Sequence, residues 1–436
     1  MFRQSVVFLA LAMSANGLSY VYQLAMARLL EPREYAVVLA IVSFIAILVF
    51  PANSFQAAVA VGTGHFVQTR KHLSSWPFAS RAALFAGAAG LGLVALFGVF
   101  SSVIRDVFGF EGNWVLGWLA VTFCFSLVLS AFRGGLQGTQ RFGGLGIVML
   151  VEAGSRVLLT VALVWWGFGV AGATAGFAFG YVGATLLAIW LLFPRTNLGG
   201  PVHESLWPTL RVQLRSVPAT FSIFGVQAID VVIANSRLPD TPMESFSAAA
   251  LAGRVIFYAG FAFGLLLLPR FRHVFAGEAL RRGFVLRTSA VVAAIVIVPV
   301  VAGFAAPDLI HNLLVGPKYA PDAGLLQRYL VGTALLTTAL FLTYMIIAAG
   351  WNWIAYGLVP IAAAQTAMYI SVAETTFEFA RILIVAGAAM CLFLVVPASL
   401  LIRRQMRLQP DLESELPGPD PSDAIMLDEI STHDPI

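Results

Sequence analysis

Four charged side chains lie deep inside apolar stretches of this sequence: Glu152, Arg156, Asp230 and Arg254. A charge at the centre of a bilayer costs at least about 2.5 kcal/mol, so such residues normally face one another or a water-filled cavity. Guanidinium groups stay charged and present two parallel donors, which suits them to phosphate. The arginines therefore predict a cavity that receives an anionic group. The alternative is that the pairs Glu152–Arg156 and Asp230–Arg254 only hold helices together.

The spacing of these residues indicates where they lie. Glu152 and Arg156 are four residues apart, which places them on one face of a helix. Counted at 1.5 Å per residue from the expected helix ends, Arg156 lies roughly 18 Å deep, and Glu152 and Arg254 roughly 12 Å. One arginine from each half of the chain would therefore line the same cavity.

Asp230 offers a different chemistry. Gln227 precedes it by one helical turn, and a carboxylate with a neighbouring amide oxygen could bind Na⁺ or a proton. We predict that these two residues couple an ion gradient to transport. The alternative is a structural ion pair with Arg254.

Uncharged polar residues lie within the first two apolar stretches. Asn16 and Gln23 lie in the first, and Asn53 and Gln56 lie in the second, each pair at helical spacing. These amides could bind sugar hydroxyls in a cavity, or they could bind neighbouring helices to one another.

The composition shows which elements position these residues. Of 436 residues, 59% are hydrophobic and only 11% are charged, whereas soluble domains carry roughly a quarter charged residues. This excludes a cytosolic enzyme, a secreted disulfide scaffold and a nucleic-acid-binding domain. Cys124 and Cys391 lie far apart in apolar stretches, so neither a disulfide nor a metal site is expected.

Long continuous apolar runs, rather than ten-residue alternations, predict helices. We expect an all-α polytopic membrane protein of twelve transmembrane helices. The predicted spans are 5–27, 35–58, 82–104, 113–132, 144–166, 169–193, 214–236, 246–268, 284–305, 323–349, 352–372 and 379–402.

Basic residues predict the orientation. Seventeen of the 26 lysines and arginines, Arg133 among them, fall on the side that holds both termini, which is typical of the cytoplasmic side of a bacterial cytoplasmic membrane. The predicted organisation is an N-terminal six-helix lobe (1–195), a cytoplasmic inter-lobe loop (196–213), a C-terminal six-helix lobe (214–402) and a disordered, acidic cytoplasmic tail (403–436).

The two predicted lobes share weak sequence similarity at offsets of 207 to 212 residues. Turn segments beginning at Arg28, Val107 and Leu136 resemble, in the same order, segments beginning near Arg237, Leu314 and Ala349. Six helices per repeat keep both halves in the same orientation, so a pseudo-two-fold axis would run along the membrane normal. Transporters built in this way place the substrate between their halves.

At these turns the sequence resembles the polysaccharide and oligosaccharide flippases of the multidrug/oligosaccharidyl-lipid/polysaccharide exporter superfamily. The segments that carry the resemblance include 27–35, 134–142, 167–176, 267–270 and 309–319. The resemblance implies two lobes arranged as a V around a cavity that opens alternately to either side, with a polyprenyl-linked saccharide as substrate. Such relatives use an acidic residue in the seventh helix, which supports the role predicted for Asp230. The chain has no fourteenth helix, which argues against the lipid II flippase branch.

We therefore predict a flippase that moves a polyprenyl-phosphate- or polyprenyl-diphosphate-linked saccharide to the outer leaflet for cell-surface polysaccharide assembly. It would not be an enzyme and would need no cofactor apart from Na⁺ or H⁺ as coupling ion. Its partners would be the lipid-linked saccharide, membrane lipids and polysaccharide assembly proteins, without nucleic acid. The alternative is an ion-coupled multidrug exporter of the same superfamily. A membrane glycosyltransferase or polymerase is less favoured, because no large outer loop carries clustered carboxylates.

Overall fold

A computed structural model of the chain describes residues 2–68, 75–110, 113–193, 211, 217–275 and 282–407. Within these ranges the chain is almost entirely α-helical, and no strand occurs in them. The predicted inter-lobe loop, apart from residue 211, and the predicted tail from residue 408 lie outside the described residues.

Each half of the chain forms its own set of helices. The first half contains α1 (Phe2–Leu29), α2 (Pro32–Gln68), α3 (Ser75–Val99), α4 (Ser101–Phe108), α5 (Trp114–Gly138), α6 (Phe142–Trp165) and α7 (Gly169–Leu192). The second half contains α8 (Val217–Arg237), α9 (Asp240–Phe275), α10 (Arg282–Ala305), α11 (Pro307–Leu314), α12 (Ala323–Ala348), α13 (Asn352–Ala355), α14 (Leu358–Ser371) and α15 (Thr376–Arg407).

Twelve of these segments are long enough to cross a bilayer, with α13 and α14 together forming one crossing. Ten spans meet both length and hydropathy requirements among the described residues. The other two crossings are α1 and α8, of 28 and 21 residues, which contain the predicted polar residues of the first and seventh helices. Large apolar side chains such as Leu84, 75% exposed, cover the outer surface of the bundle. The chain is therefore a multi-pass membrane protein, and the predicted twelve-helix fold is confirmed.

Several helix ends differ from the prediction. The third span was predicted as 82–104, but α3 begins at Ser75 and a non-helical Phe100 separates it from the short α4. The eleventh span is broken between α13 and α14. Helix α15 continues to Arg407, five residues beyond the boundary predicted for the second lobe, and basic residues are favourable near a helix C-terminus.

The internal repeat is visible in the backbone. At the end of α5, the N–H of Arg141 donates to the carbonyl of Leu136 (2.9 Å), and at the end of α12 the N–H of Trp351 donates to that of Ile346 (3.1 Å). Both bonds close a helix end of the Schellman type, and the positions are 210 residues apart. The left-handed residue of each turn, Gln140 in one half and Gly350 in the other, is also offset by 210. The short helices α4 and α11, of eight residues each, complete the correspondence.

Each half packs around one central helix. In the first lobe α2, α3 and α7 pack against α5, and in the second lobe α9, α10 and α15 pack in the same way against α12. Helices α6 and α14 pack against α1 and α8, respectively. The order of packing is thus the same in both lobes, as a parallel repeat requires.

The interface between the lobes is asymmetric. Helix α2 of the first lobe packs extensively against α8 of the second, whereas the corresponding pair, α1 and α9, touches only slightly. Because twelve crossings return the chain to its starting side, α1 begins and α15 ends on the same side of the bundle, here called the termini side. The opposite side, where α4 and α11 lie, is called the far side.

Candidate transport site

A cavity of about 260 Å³ lies in the first lobe, on the side that faces α9 of the second lobe. Helices α1, α2, α5, α6 and α7 of the first lobe form most of its wall, and α9 contributes from the second lobe. Its polar and charged lining residues are Asn16, Ser19, Tyr20, Tyr22, Gln23, Asn53, Arg133, Glu152, Arg156, Tyr181 and Tyr258. Five predicted site residues, Asn16, Gln23, Asn53, Glu152 and Arg156, are therefore brought together at one cavity.

The centre of the cavity wall is a cluster of three charges. One carboxylate oxygen of Glu152 accepts a hydrogen bond from Arg156 and the other accepts one from Arg133. The guanidinium of Arg156 also lies 4.3 Å from the ring centroid of Phe177, a cation–π arrangement. These three charged side chains are only 9–15% exposed. The cluster carries a net charge of +1, because one carboxylate serves two guanidinium groups.

Arg133 corrects the sequence analysis, which placed it in the loop after the fourth helix. The apolar run ends at residue 132, but α5 continues to Gly138. Its last turns contain Gly134 and Gly135, where a Cβ atom would meet the backbone of Gln56 and the side chain of Leu192. Glycine thus allows α5 to approach α2 and α7 closely, and the helix persists. The sequence held one indication of this contact: the carboxylate of Glu152 has two oxygens, so it could accept hydrogen bonds from a second arginine besides Arg156.

Arg254 is the largest fully buried side chain among the described residues, at 2% exposure. It donates to the side-chain oxygen of Gln23 on α1 (3.2 Å) and to the hydroxyl of Ser43 on α2. Its partners therefore belong to the opposite lobe. Arg254 is not among the residues that line the cavity, which differs from its predicted place in the cavity wall. Among the described residues no ion pair joins it to Asp230 either, and it forms an inter-lobe link instead. Gln23 contributes to both this link and the cavity wall.

Gln56 lies apart from the cavity lining. Its amide nitrogen donates to the side-chain oxygen of Gln137 at 3.1 Å, which joins α2 to α5 within the first lobe. Of the four amides predicted in the first two apolar stretches, this one matches the alternative of binding neighbouring helices together.

Asp230 and Gln227 lie in a separate buried polar cluster inside the second lobe. Asp230 is fully buried and accepts hydrogen bonds from the hydroxyl of Tyr329 on α12 and from the N–H of Val231 (2.7 Å). Gln227 is 4% exposed, and neither atom of its amide has a hydrogen-bond partner in the described structure. Burying an unsatisfied amide is unfavourable, so this position has spare binding capacity.

Two further buried oxygens on the neighbouring helices α12 and α14 have no hydrogen-bond partner within the described residues. They are the hydroxyl of Thr333, one turn after Tyr329 on α12, and the side-chain oxygen of Gln365 on α14. Gln365 donates through its nitrogen to Tyr369 (2.8 Å). One carboxylate among neutral oxygens is a donor set that fits a hard monovalent cation or a proton. No group of three or more metal-binding side chains occurs in the described part of the chain.

The far side of the lobes is closed by polar contacts that cross from one lobe to the other. Asn235 donates to the carbonyls of Val107 and Phe108 (3.1 and 3.0 Å). Arg33 forms an ion pair with Asp240 at 3.0 Å. Because α2 and α9 both begin here, these contacts hold the far ends of the two lobes together.

The end of α1 takes part in the same closure. The hydroxyl of Tyr319 donates to the carbonyl of Ala27 (3.0 Å), and Arg28 donates to the carbonyl of Leu313 (2.7 Å). Burial raises the pKa of Tyr319, so its hydroxyl remains a donor at neutral pH. The hydrogen bonds of Arg254 to Gln23 and Ser43 lie on the termini side of this closure. The cavity lies still further toward the termini side. The structure is thus closed on its far side.

Comparison with known proteins supports a transporter fold. Neither a protein-family model nor a curated protein matches the sequence. Solved structures do match the fold. An inward-facing multidrug resistance transporter of the MATE family in the MOP superfamily is 15% identical, with a TM-score of 0.61, over 93% of this chain and 99% of that one. A MATE protein in a bent conformation is 13% identical, with a TM-score of 0.62, over 93% and 97%.

A third similar structure is a MOP superfamily transporter from Pyrococcus furiosus, for which a reversed polarity of the binding pocket is said to suggest a different function. It is 14% identical, with a TM-score of 0.52, over 92% of this chain and 96% of that one. Identities this low establish the fold and leave the substrate open. The chain is therefore a multi-pass membrane protein with the two-lobe, twelve-helix fold of MATE-type transporters.

Proposed function

We propose that this protein is an alternating-access transporter of an anionic, phosphate-bearing amphiphile. The observation that carries the proposal is the charge cluster in the cavity wall, where Glu152 is shared by Arg133 and Arg156 and a net positive charge remains. A phosphate entering the cavity would meet guanidinium groups, which bind phosphate through parallel donors. The Nε atoms of both arginines are buried and have no hydrogen-bond partner in the described structure, so Glu152 alone does not satisfy the two guanidinium groups.

The substrate that fits these features is a polyprenyl-phosphate- or polyprenyl-diphosphate-linked saccharide, moved to the outer leaflet for cell-surface polysaccharide assembly. A cavity of about 260 Å³ is smaller than a typical drug-sized ligand pocket, so it would hold the phosphate and part of the saccharide while the prenyl chain stays in the bilayer. The polar side chains of Asn16 and Asn53 line the same space and would bind sugar hydroxyls. The sequence resemblance to saccharide flippases supports this choice.

Ion coupling through Asp230 is part of the proposal. The carboxylate is buried with Tyr329 as donor, and the unsatisfied oxygens of Gln227, Thr333 and Gln365 lie on the helices around it. Na⁺ or H⁺ bound there would compensate the buried charge, which otherwise carries a large desolvation cost. The protein would lie in the cytoplasmic membrane of a bacterium with both termini in the cytoplasm, so the structure would be inward-facing. Polysaccharide assembly proteins would be its partners.

Multidrug export is the second candidate, because similar structures include multidrug transporters. An unpaired carboxylate in the binding site would stabilise a cationic drug. In the described cavity lining the only carboxylate is Glu152, and two arginines already bind it. The charge of the cavity therefore favours the anionic substrate over the cationic one.

The test is transport by the purified protein in liposomes. One assay follows flipping of a fluorescent polyprenyl-diphosphate-linked saccharide, and the other follows uptake of a cationic dye. We expect the wild type to flip the saccharide lipid and Arg156→Gln to lose this activity. Arg156→Lys should retain part of it, because lysine keeps the charge but lacks the two parallel donors of a guanidinium group. Arg328→Gln is the matched control, since Arg328 is exposed and lies against Phe377 at the start of α15. Dye uptake without saccharide flipping, or full flipping by Arg156→Gln, would refute the proposal.

A further inference from the structure

A second cavity, of about 360 Å³, lies on the outer surface of the second lobe between α9, α10, α12 and α15. Apolar side chains form most of its wall, including Phe271, Val292, Val296, Phe341 and Met345. We call it the lateral groove. It is separate from the transport cavity, because Leu267 in its wall follows the cavity residue Tyr258 by nine residues. Nine residues at 100° each place the two on opposite faces of α9.

The lateral groove opens sideways into the bilayer. Its outer wall is α10, whose membrane-spanning window is only 6% buried, and Ile297 in this wall is 55% exposed. From Thr288 to Ile297 the wall extends for about 13 Å along α10, close to half of a bilayer core of about 30 Å. The groove is therefore as long as one leaflet is thick, and it lies in the leaflet on the termini side.

The end of the lateral groove nearest the termini side is polar and positively charged. Thr288 and Ser289 line it there, and Arg287 precedes them at an exposed position. On the opposite wall, the lining residue Ile402 is followed by Arg403 and Arg404, both exposed. Hydroxyl and guanidinium groups therefore lie at the membrane-surface end of an apolar groove. A phospholipid has the same order of groups, with its phosphate nearer the membrane surface than its hydrocarbon chains.

We propose that the lateral groove binds an anionic phospholipid from the termini-side leaflet. One acyl chain lies between α10 and α12, and the phosphate is held by Arg287 together with the arginines at the end of α15. A prenyl chain whose phosphate is in the transport cavity fits less well, because α9 separates the two spaces. The bound lipid fills the space behind α10 and connects this weakly packed helix to the rest of the second lobe. This site does not depend on which substrate the transport cavity receives.

The proposal is tested by lipid retention. The full-length protein is reconstituted into vesicles of equal parts phosphatidylglycerol and phosphatidylcholine, extracted in mild detergent, and examined by native mass spectrometry. We expect phosphatidylglycerol to be retained several-fold over phosphatidylcholine. Arg287→Gln combined with Arg403→Gln should abolish that preference. Val296→Trp, which fills the groove, should reduce retention of both lipids, and Arg328→Gln on the far side should change neither.

Folding is followed separately by thermal unfolding. If Val296→Trp fails to fold, Ser289→Trp at the exposed end of the groove replaces it as the blocking variant. Equal retention of the two phospholipids by the wild type would overturn the proposal, as would unchanged retention in the arginine double variant. Displacement of the retained phospholipid by added polyprenyl phosphate, but not by added phosphatidylglycerol, would also overturn it and assign the groove to the transported lipid.

Discussion

The charge cluster predicts that Glu152→Gln weakens the fold and strengthens anion binding at the same time. The substitution preserves shape but removes the carboxylate shared by Arg133 and Arg156, so the local charge rises from +1 to +2. Breaking a buried ion pair costs about 3–5 kcal/mol. Because these side chains are 9–15% exposed along the cavity, we take the lower end, about 3 kcal/mol.

That cost converts into a measurable shift in melting temperature. An unfolding entropy of about 2.1 cal/mol/K per residue gives about 0.9 kcal/mol/K for 436 residues, so about 3 kcal/mol lowers Tm by about 3 °C. This is a minimum, since a membrane protein keeps helices on unfolding and loses less order. Tryptophan fluorescence during heating in one detergent provides the measurement, and Glu374→Gln, at an exposed turn, is the matched control.

A second variant separates charge coupling from general damage. Arg133→Gln leaves the neutral pair of Glu152 and Arg156 and should cost about 1.5–3 kcal/mol, the net value of a charged hydrogen bond. The double variant Glu152→Gln with Arg133→Gln returns the local charge to +1, so its cost should fall below the sum of the singles by at least about 1 kcal/mol.

Binding of polyprenyl diphosphate should move in the opposite direction to stability. Glu152→Gln should bind it more tightly than the wild type, because the phosphate replaces the missing carboxylate between the two guanidinium groups. A misfolded variant would bind more weakly, so the two explanations are distinguishable. Additive melting shifts, or unchanged stability in Glu152→Gln, would show that the three residues do not act as a unit.

Three other predictions concern orientation, coupling and the far-side closure. A cysteine at Thr241 should react with an impermeant thiol reagent in intact cells, whereas one at Ser422 should be shielded; labelling of the latter would reverse the proposed orientation. Asp230→Asn should retain substrate binding but lose dependence on the ion gradient in vesicles, because the amide has no charge for the ion, and unaltered gradient dependence would exclude the coupling role. Cross-linking Arg33→Cys to Asp240→Cys with a short bismaleimide, in a background without the native cysteines, should stop transport by fixing the far side closed; full transport after complete cross-linking would contradict this closure.

The fold was predictable because the hydrocarbon core imposes one requirement on every crossing. Each helix needs about 20 apolar residues, and that requirement placed the twelve crossings. The short helices α4 and α11 were not predicted. Eight residues are too few to cross the bilayer, and in the sequence these helices cannot be told from the apolar residues beside them. The repeat was detectable at the turns because left-handed positions such as Gly109 and Gly316 restrict the residue type.

The site was only partly predictable. Depth and spacing identified Glu152 and Arg156 as neighbours, because they lie on one helix. The position of Arg133 depended on how far α5 continues beyond its apolar run, which is decided by close packing of Gly134 and Gly135 and not by hydropathy. The partners of Arg254 depended on how the two lobes dock, and local sequence carries no information on contacts between residues 211 or 231 positions apart.

The contacts between the lobes differ in strength, which bears on the proposed opening of the far side. The ion pair of Arg33 and Asp240 is solvent-exposed, with Asp240 at 72%, and exposed pairs contribute at most about 1 kcal/mol each, which differential binding of a substrate or an ion can overcome. The bonds of Asn235 and Tyr319 to the first lobe are buried, so these groups would need new partners when the lobes separate.

Arg254 carries a charge that the other buried inter-lobe donors lack: its bonds to Gln23 and Ser43 are buried and would leave a cation without partners if the lobes separated. Asp230 is a buried carboxylate of the same lobe as Arg254. Under the proposed alternating access, opening of the far side would let Arg254 exchange its first-lobe partners for the Asp230 carboxylate, and an ion bound to Asp230 would oppose this exchange. In that mechanism Arg254 would link occupancy of the Asp230 cluster to the conformation of the transport cavity, which is why Asp230→Asn is expected to uncouple transport without preventing substrate binding.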